Sequence, residues 1–156
     1  MARMGEMSGN RPSGKPLRVL IADDTAAIRS SLSALISRLQ GVEIVGMAET
    51  GTEAVEMARR LEPDVITLDI RMPEMNGIKV LEAIQREKLT VMTIVLTGLV
   101  EEEYRDKCLS LGAAHFFNKS TQFESVIEIL KTQAALRDSP AQPPIQPPAQ
   151  PGASAP

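Results

Sequence analysis

Five short apolar runs alternate along the chain with segments in which apolar residues recur every three or four positions. The first run, Leu17–Ala22, closes on two acids, Asp23 and Asp24. Ile28, Leu32, Leu35, Ile36 and Leu39 follow at helical spacing. Asp24 or Thr25 stands where a cap belongs, and Gly41 is placed to end the helix. Glu43–Ala48 is the second run. Ala54, Ala58 and Leu61 mark a second helix that Pro63 stops, since the residue before proline is pushed out of the helical region. Asp64–Asp69 is the third run. A loop containing Met72-Pro73 and Asn76-Gly77 leads into a third helix reaching about Glu87. Val91–Thr97 is the fourth run. Glu101, Glu102 and Glu103 then open a fourth helix, where acids suit the positive dipole end, and Gly112 closes it. Ala114–Asn118 is the fifth run. Thr121-Gln-Phe-Glu124 has the spacing of a capping box, followed by Val126, Ile127 and Leu130 on a fifth helix.

Apolar strands without strict alternation are buried on both faces, which calls for a parallel sheet with helices on each side. Right-handed crossovers then give an α/β, doubly wound five-stranded sheet in the order 2-1-3-4-5. In such sheets ligands bind beyond the carboxyl ends of the strands. The sequence puts chemistry at those ends: Asp23 and Asp24 after strand one, Asp69 after strand three, Thr97 at the end of strand four and Lys119 after strand five. Any one of them alone reads as a cap, a turn residue or a solvated loop. Together they converge on one rim.

Three carboxylates at one point repel one another, by on the order of 4 kcal/mol per pair at about 4 Å and an effective dielectric near 20. A cation relieves that repulsion. An oxygen-lined cluster without His or Cys suits Mg²⁺, with Mn²⁺ able to substitute, and Lys119 adds a second positive charge. With the Thr97 hydroxyl, these groups make a pocket for a phosphoryl group. Asp69 is placed to act as nucleophile in aspartyl-phosphate chemistry.

Length and composition narrow the remaining choices. The 156 residues suit one domain. Aromatics make up 3% with no Trp, so the core is aliphatic. A net charge of −3 without a long basic run gives no nucleic-acid footprint. The single cysteine, Cys108, rules out an internal disulfide framework. No apolar stretch reaches the roughly 20 residues that span a bilayer, and the first residues lack a secretory pattern. These features predict a cytoplasmic protein with no membrane insertion. The domain is read as residues 17–137. Residues 1–16 form a Gly/Ser/Pro-containing flexible tail. Residues 138–156 form a Pro/Ala/Gln-rich tail in which Pro140-Ala-Gln-Pro143, Pro144-Ile-Gln-Pro147 and Pro148-Ala-Gln-Pro151 repeat. That composition reads as an extended spacer.

The pieces Leu20-Ile-Ala-Asp-Asp24, Pro63-Asp-Val-Ile-Thr-Leu-Asp-Ile-Arg-Met-Pro-Glu-Met-Asn-Gly77, Val95-Leu-Thr-Gly98 and Phe116-Phe-Asn-Lys119 resemble the bacterial two-component response-regulator receiver family. The likeness covers roughly Leu17 to Ala135, and strand one and the central motif look most like the NarL type. The resemblance implies the flavodoxin-like (βα)5 receiver fold of the chemotaxis regulator, here standing alone without an output domain. It implies that Asp69 accepts phosphate from a sensor histidine kinase or phosphotransfer protein. Mg²⁺ would be held by the Asp24 and Asp69 side chains and the Arg71 backbone carbonyl, with Asp23 assisting through water. Thr97 and Phe116 would act as the switch pair and Lys119 would pair with the phosphoryl group. The face of the fourth helix, fifth strand and fifth helix would then bind a downstream protein or a second copy, with no direct DNA binding.

Two departures stand out. Ser120 follows Lys119 where the family commonly has a proline with a cis peptide. The aromatic on strand five is Phe116 rather than the frequent Tyr. Three rival readings compete: a phosphate sink that drains a kinase, a receiver cut from a larger DNA-binding regulator, and a Mg²⁺-dependent phosphatase of the haloacid-dehalogenase kind. The phosphatase needs a second Asp two residues after the nucleophile. That position is Arg71, which argues against turnover and for a signalling module.

Overall fold

The computed structural model describes residues 15–137. The proline-rich tail lies outside the described residues, as does all but the end of the N-terminal tail. The elements alternate as expected: β1 (Leu17–Ala22), α1 (Ala26–Ile36), β2 (Val42–Ala48), α2 (Gly51–Leu61), β3 (Val65–Leu68), α3 (Gly77–Arg86), β4 (Met92–Thr97), α4 (Glu102–Ser110), β5 (His115–Asn118) and α5 (Phe123–Arg137). All four strand pairings are parallel, and the order is β2-β1-β3-β4-β5. This is the doubly wound, flavodoxin-like receiver fold.

The sheet separates two apolar layers. Leu20, Ile66, Leu68 and Val95 face α2, α3 and α4, meeting Ala54, Ala58, Val80, Leu81 and Cys108. Val19, Ile21, Val65 and Ile94 face α1 and α5, meeting Leu32, Ile36, Val126 and Leu130. Successive strand residues point to opposite faces, so a run such as Val19-Leu20-Ile21 feeds both layers. β2 departs from the expectation of strands buried on both sides. Only Ala48 of its residues is buried, because β2 is an edge strand with one neighbour.

Several local readings are corrected. α1 ends at Ile36 with Ser37 as its C-cap, not at Gly41. Leu39 continues the helical spacing only as part of a tighter turn, its N–H reaching the Ile36 carbonyl at 2.9 Å. Thr25 is the N-cap residue of α1, but neither its side chain nor that of Asp24 caps the helix; the Thr25 N–H itself bonds the Asp23 carboxylate at 2.8 Å. Asn76 does cap α3, its side chain accepting from the Lys79 N–H. Before α5 the expected Thr121–Glu124 box does not form. Asn118 and Gln122 bond each other instead. No peptide among the described residues is cis, so the Lys119–Ser120 bond is trans.

Candidate functional site

Three of the four parallel ladders continue one rung past their strands, and this fixes the backbone of the site. The Asp23 N–H reaches the Ala48 carbonyl at 3.0 Å, the Asp69 N–H reaches the Ala22 carbonyl at 3.0 Å, and the Lys119 N–H reaches the Thr97 carbonyl at 2.9 Å. Residues contributed by four different strand ends therefore share one rim. Asp23, Asp69 and Thr97 are buried there, while Asp24 is exposed at the edge.

The side chains meet as the sequence expected. Lys119 Nζ lies 2.6 Å from Asp69 Oδ2 and 3.0 Å from Asp23 Oδ2. One carboxylate oxygen from each of Asp23, Asp24 and Asp69 lies within 4.8 Å of the others. Asp24, Asp69, Arg71, Thr97 and Lys119 line a common cavity of about 360 Å³. The Thr97 hydroxyl accepts from the Leu99 N–H at 3.2 Å, which leaves its own hydrogen available to donate.

Charge at the site is not balanced. Burial pushes the Asp23 carboxyl above its usual range, and the neighbouring Asp69 carboxylate adds to the push; the Thr25 N–H and Lys119 only partly offset it. Burial also works against the Lys119 ammonium. Asp69 and Asp23 outweigh it and hold Lys119 above the ordinary lysine value. One lysine neutralises only one of three clustered carboxylates. The remaining negative charge, carried entirely by hard oxygen donors, fits a small divalent cation such as Mg²⁺.

Phe116 does not line this cavity. It is buried among the core side chains on the α2, α3 and α4 face of the sheet. Arg71 follows Asp69 closely, its N–H 3.4 Å from Asp69 Oδ1, and its side chain is exposed.

Three supporting residues escaped the sequence reading. A Cβ on Gly77 would collide with the Asp69 carbonyl oxygen and lie 2.8 Å from Ile70 Cα; the Gly77 N–H bonds the Ile70 carbonyl at 2.7 Å. A Cβ on Gly51 would collide with the Met75 carbonyl, so α2 starts hard against the loop that follows Asp69. Arg29 donates to the Asp23 carbonyl at 2.8 Å and to Glu49 Oε2 at 3.3 Å, tying the ends of β1 and β2 together. The glycines carried a faint signal, each sitting one residue after a capping Thr50 or Asn76. Arg29 carried none beyond its polarity.

Comparison with known proteins agrees with this geometry. The family model for the response regulator receiver domain matches residues 19–131. A protein-glutamate methylesterase/protein-glutamine glutaminase of Archaeoglobus fulgidus is 42% identical over 105 residues, covering 66% of this chain and 30% of that protein. The chain thus spans less than a third of that relative's length, and the activities in its name are that protein's. Among solved structures, the signal receiver domain of NarL from Mycobacterium tuberculosis superposes with a TM-score of 0.73 at 28% identity, covering 78% of this chain and 98% of that one. The CheX-CheY-BeF3-Mg²⁺ complex from Borrelia burgdorferi matches with a TM-score of 0.71 at 30% identity, covering 78% and 91%.

Proposed function

This chain belongs to the response regulator receiver domain family of two-component signalling, and from that premise we propose that Asp69 is its phospho-acceptor. The observation that carries the reading is the ion pair of Lys119 with Asp69 and Asp23, buried at the rim of a cavity that stays open toward solvent. The donor is a phosphohistidine on a sensor kinase or phosphotransfer protein. An Asp69 carboxylate oxygen attacks phosphorus, the phosphorus–nitrogen bond breaks, and the imidazole leaves with the electron pair. Lys119 releases Asp69 to pair with the phosphoryl oxygens, and the Thr97 hydroxyl donates to another of them.

The Asp24 and Asp69 carboxylates and the Arg71 carbonyl would hold Mg²⁺, with Asp23 assisting through water; the ion would supply charge neutralisation for the incoming group. Phosphorylation adds roughly two negative charges at Asp69. Thr97 and Lys119 sit at the ends of β4 and β5, so their response reaches Phe116 and the α4-β5-α5 face. That face binds a downstream protein or a second copy in one of two pre-existing states. The chain itself binds no DNA. No described helix is long and apolar enough to cross a membrane, and the proposed compartment is the cytoplasm.

Incubation with acetyl phosphate and Mg²⁺, followed by intact-mass measurement, tests the proposal. Wild type gains one phosphoryl group and Asp69→Ala gains none. Equal labelling of both proteins would sink it.

A further inference from the structure

We propose that Asn118 and Gln122 are positioning residues for Lys119, forming a side-chain brace where the receiver family commonly places a proline. The inference rests on the reading of Lys119 given above and extends it to residues that no comparison assigns.

The observations converge on one turn. Lys119 must span from the edge strand β5 to carboxylates that follow β1 and β3, so the direction of its backbone decides where Nζ falls. Its own N–H is fixed to the Thr97 carbonyl at 2.9 Å. On either side of it the chain is held by Asn118, through three separate groups. The Asn118 N–H points away from β4 at the open edge of the sheet and donates to Gln122 Oε1 at 2.7 Å. The Asn118 carbonyl accepts from the Gln122 N–H at 2.8 Å. The Asn118 side chain accepts from the Ser120 N–H at 2.7 Å. The result is a closed ring of hydrogen bonds around Lys119, with an Asx turn on its C-terminal side.

Ser120 imposes no backbone constraint of its own, whereas a proline would fix φ. The turn from β5 into α5 therefore needs another source of rigidity, and the Asn118–Gln122 pair supplies it. The residues that the capping-box spacing singled out, Thr121 and Glu124, contribute no side-chain bond to the ring. Gln122 is half-buried and touches none of the reacting groups, so it acts only through Lys119.

The test compares Gln122→Leu, which keeps the size and removes the acceptor, with Gln122→Glu, which keeps an acceptor, and Thr121→Ala, which removes the rival cap. Two readouts are taken on the full chain. The first is the Lys119 side-chain NMR chemical shift at one neutral pH, with labelled lysine and no phosphodonor, assigned with Lys119→Arg. The second is the rate of labelling by acetyl phosphate. With the brace lost, Gln122→Leu moves the Lys119 side-chain resonance toward those of the exposed lysines, and labelling slows roughly ten- to hundredfold, the scale expected for a misplaced catalytic group. Gln122→Glu and Thr121→Ala stay near wild type in both.

A Gln122→Leu protein whose Lys119 resonance and labelling match wild type overturns the proposal. So does an equal loss in Gln122→Leu and Gln122→Glu accompanied by a fall in melting temperature, since that marks a general folding defect. If wild type takes no phosphate yet the Lys119 resonance moves as expected in Gln122→Leu, the brace stands and the phospho-acceptor reading falls.

Discussion

Asp23 and Lys119 act on stability in opposite directions at the charged site. The Asp23 carboxyl is raised, so the folded chain holds its proton to higher pH than the unfolded chain does. Its penalty is absent below about pH 3.8 and grows as pH rises through the folded value. Asp23→Asn, in metal-free buffer at neutral pH, should therefore be more stable than wild type by roughly 0.5–2 kcal/mol. The gain should vanish toward pH 4, a pattern that thermal melts across a pH series would reveal. Lys119 is raised as well, so its favourable contribution is complete below pH 10.5 and is lost as pH climbs through the folded value. Wild type should then lose stability on the alkaline side more steeply than Lys119→Met, whose carboxylates have no such partner to lose. A Lys119→Met protein with the same alkaline slope as wild type would contradict that assignment. Thr67 is a different case. It is buried, and its hydroxyl has no partner among the described residues, so Thr67→Val should stabilise by about 1 kcal/mol in denaturant melts.

At the scale of elements, junctions matter more than interiors. The strands and helices were legible because apolar periodicity reports which face is buried, and β1 was read to the residue. Ends depend on competition among local hydrogen bonds, which spacing does not reveal. The Asp23 carboxylate, not a helix cap, fixes the start of α1 by accepting from the Thr25 N–H, and Gln122 takes the edge N–H of Asn118. The half-exposed character of β2 was legible in principle, since the expected order already set it at the edge and it carries Glu43 and Gly46. The Gly77 contact was invisible, because it joins α3 to the backbone of Asp69 itself. Gly77→Ala should cost about 1–3 kcal/mol through overpacking, and it should also slow labelling of Asp69, because the only way to admit the methyl group is to move that backbone. Calorimetry alongside a labelling assay separates this from a plain surface change, which would alter neither.

For the whole molecule, topology turns polar residues from four separate strand ends into a site. Asp23, Asp69, Thr97 and Lys119 lie far apart in sequence, and they meet only because the order β2-β1-β3-β4-β5 sets β1, β3, β4 and β5 side by side with their carboxyl ends aligned. That convergence could be inferred from the sequence, because parallel strands have one common rim. The apolar layers on both sides leave this rim as the place where the fold gathers unbalanced charge. The proposed Mg²⁺ site exists at the folded rim and not in the unfolded chain, so adding Mg²⁺ should raise the melting temperature, and Asp24→Ala should weaken that response. The most direct measurement is chemical localisation of the acyl phosphate. After exposure to a phosphohistidine donor and Mg²⁺, borohydride reduction converts a phosphorylated aspartate to homoserine, which peptide mapping then locates. Homoserine at position 69 alone is the expected result; homoserine at position 23 or 24, or none anywhere, would contradict the account.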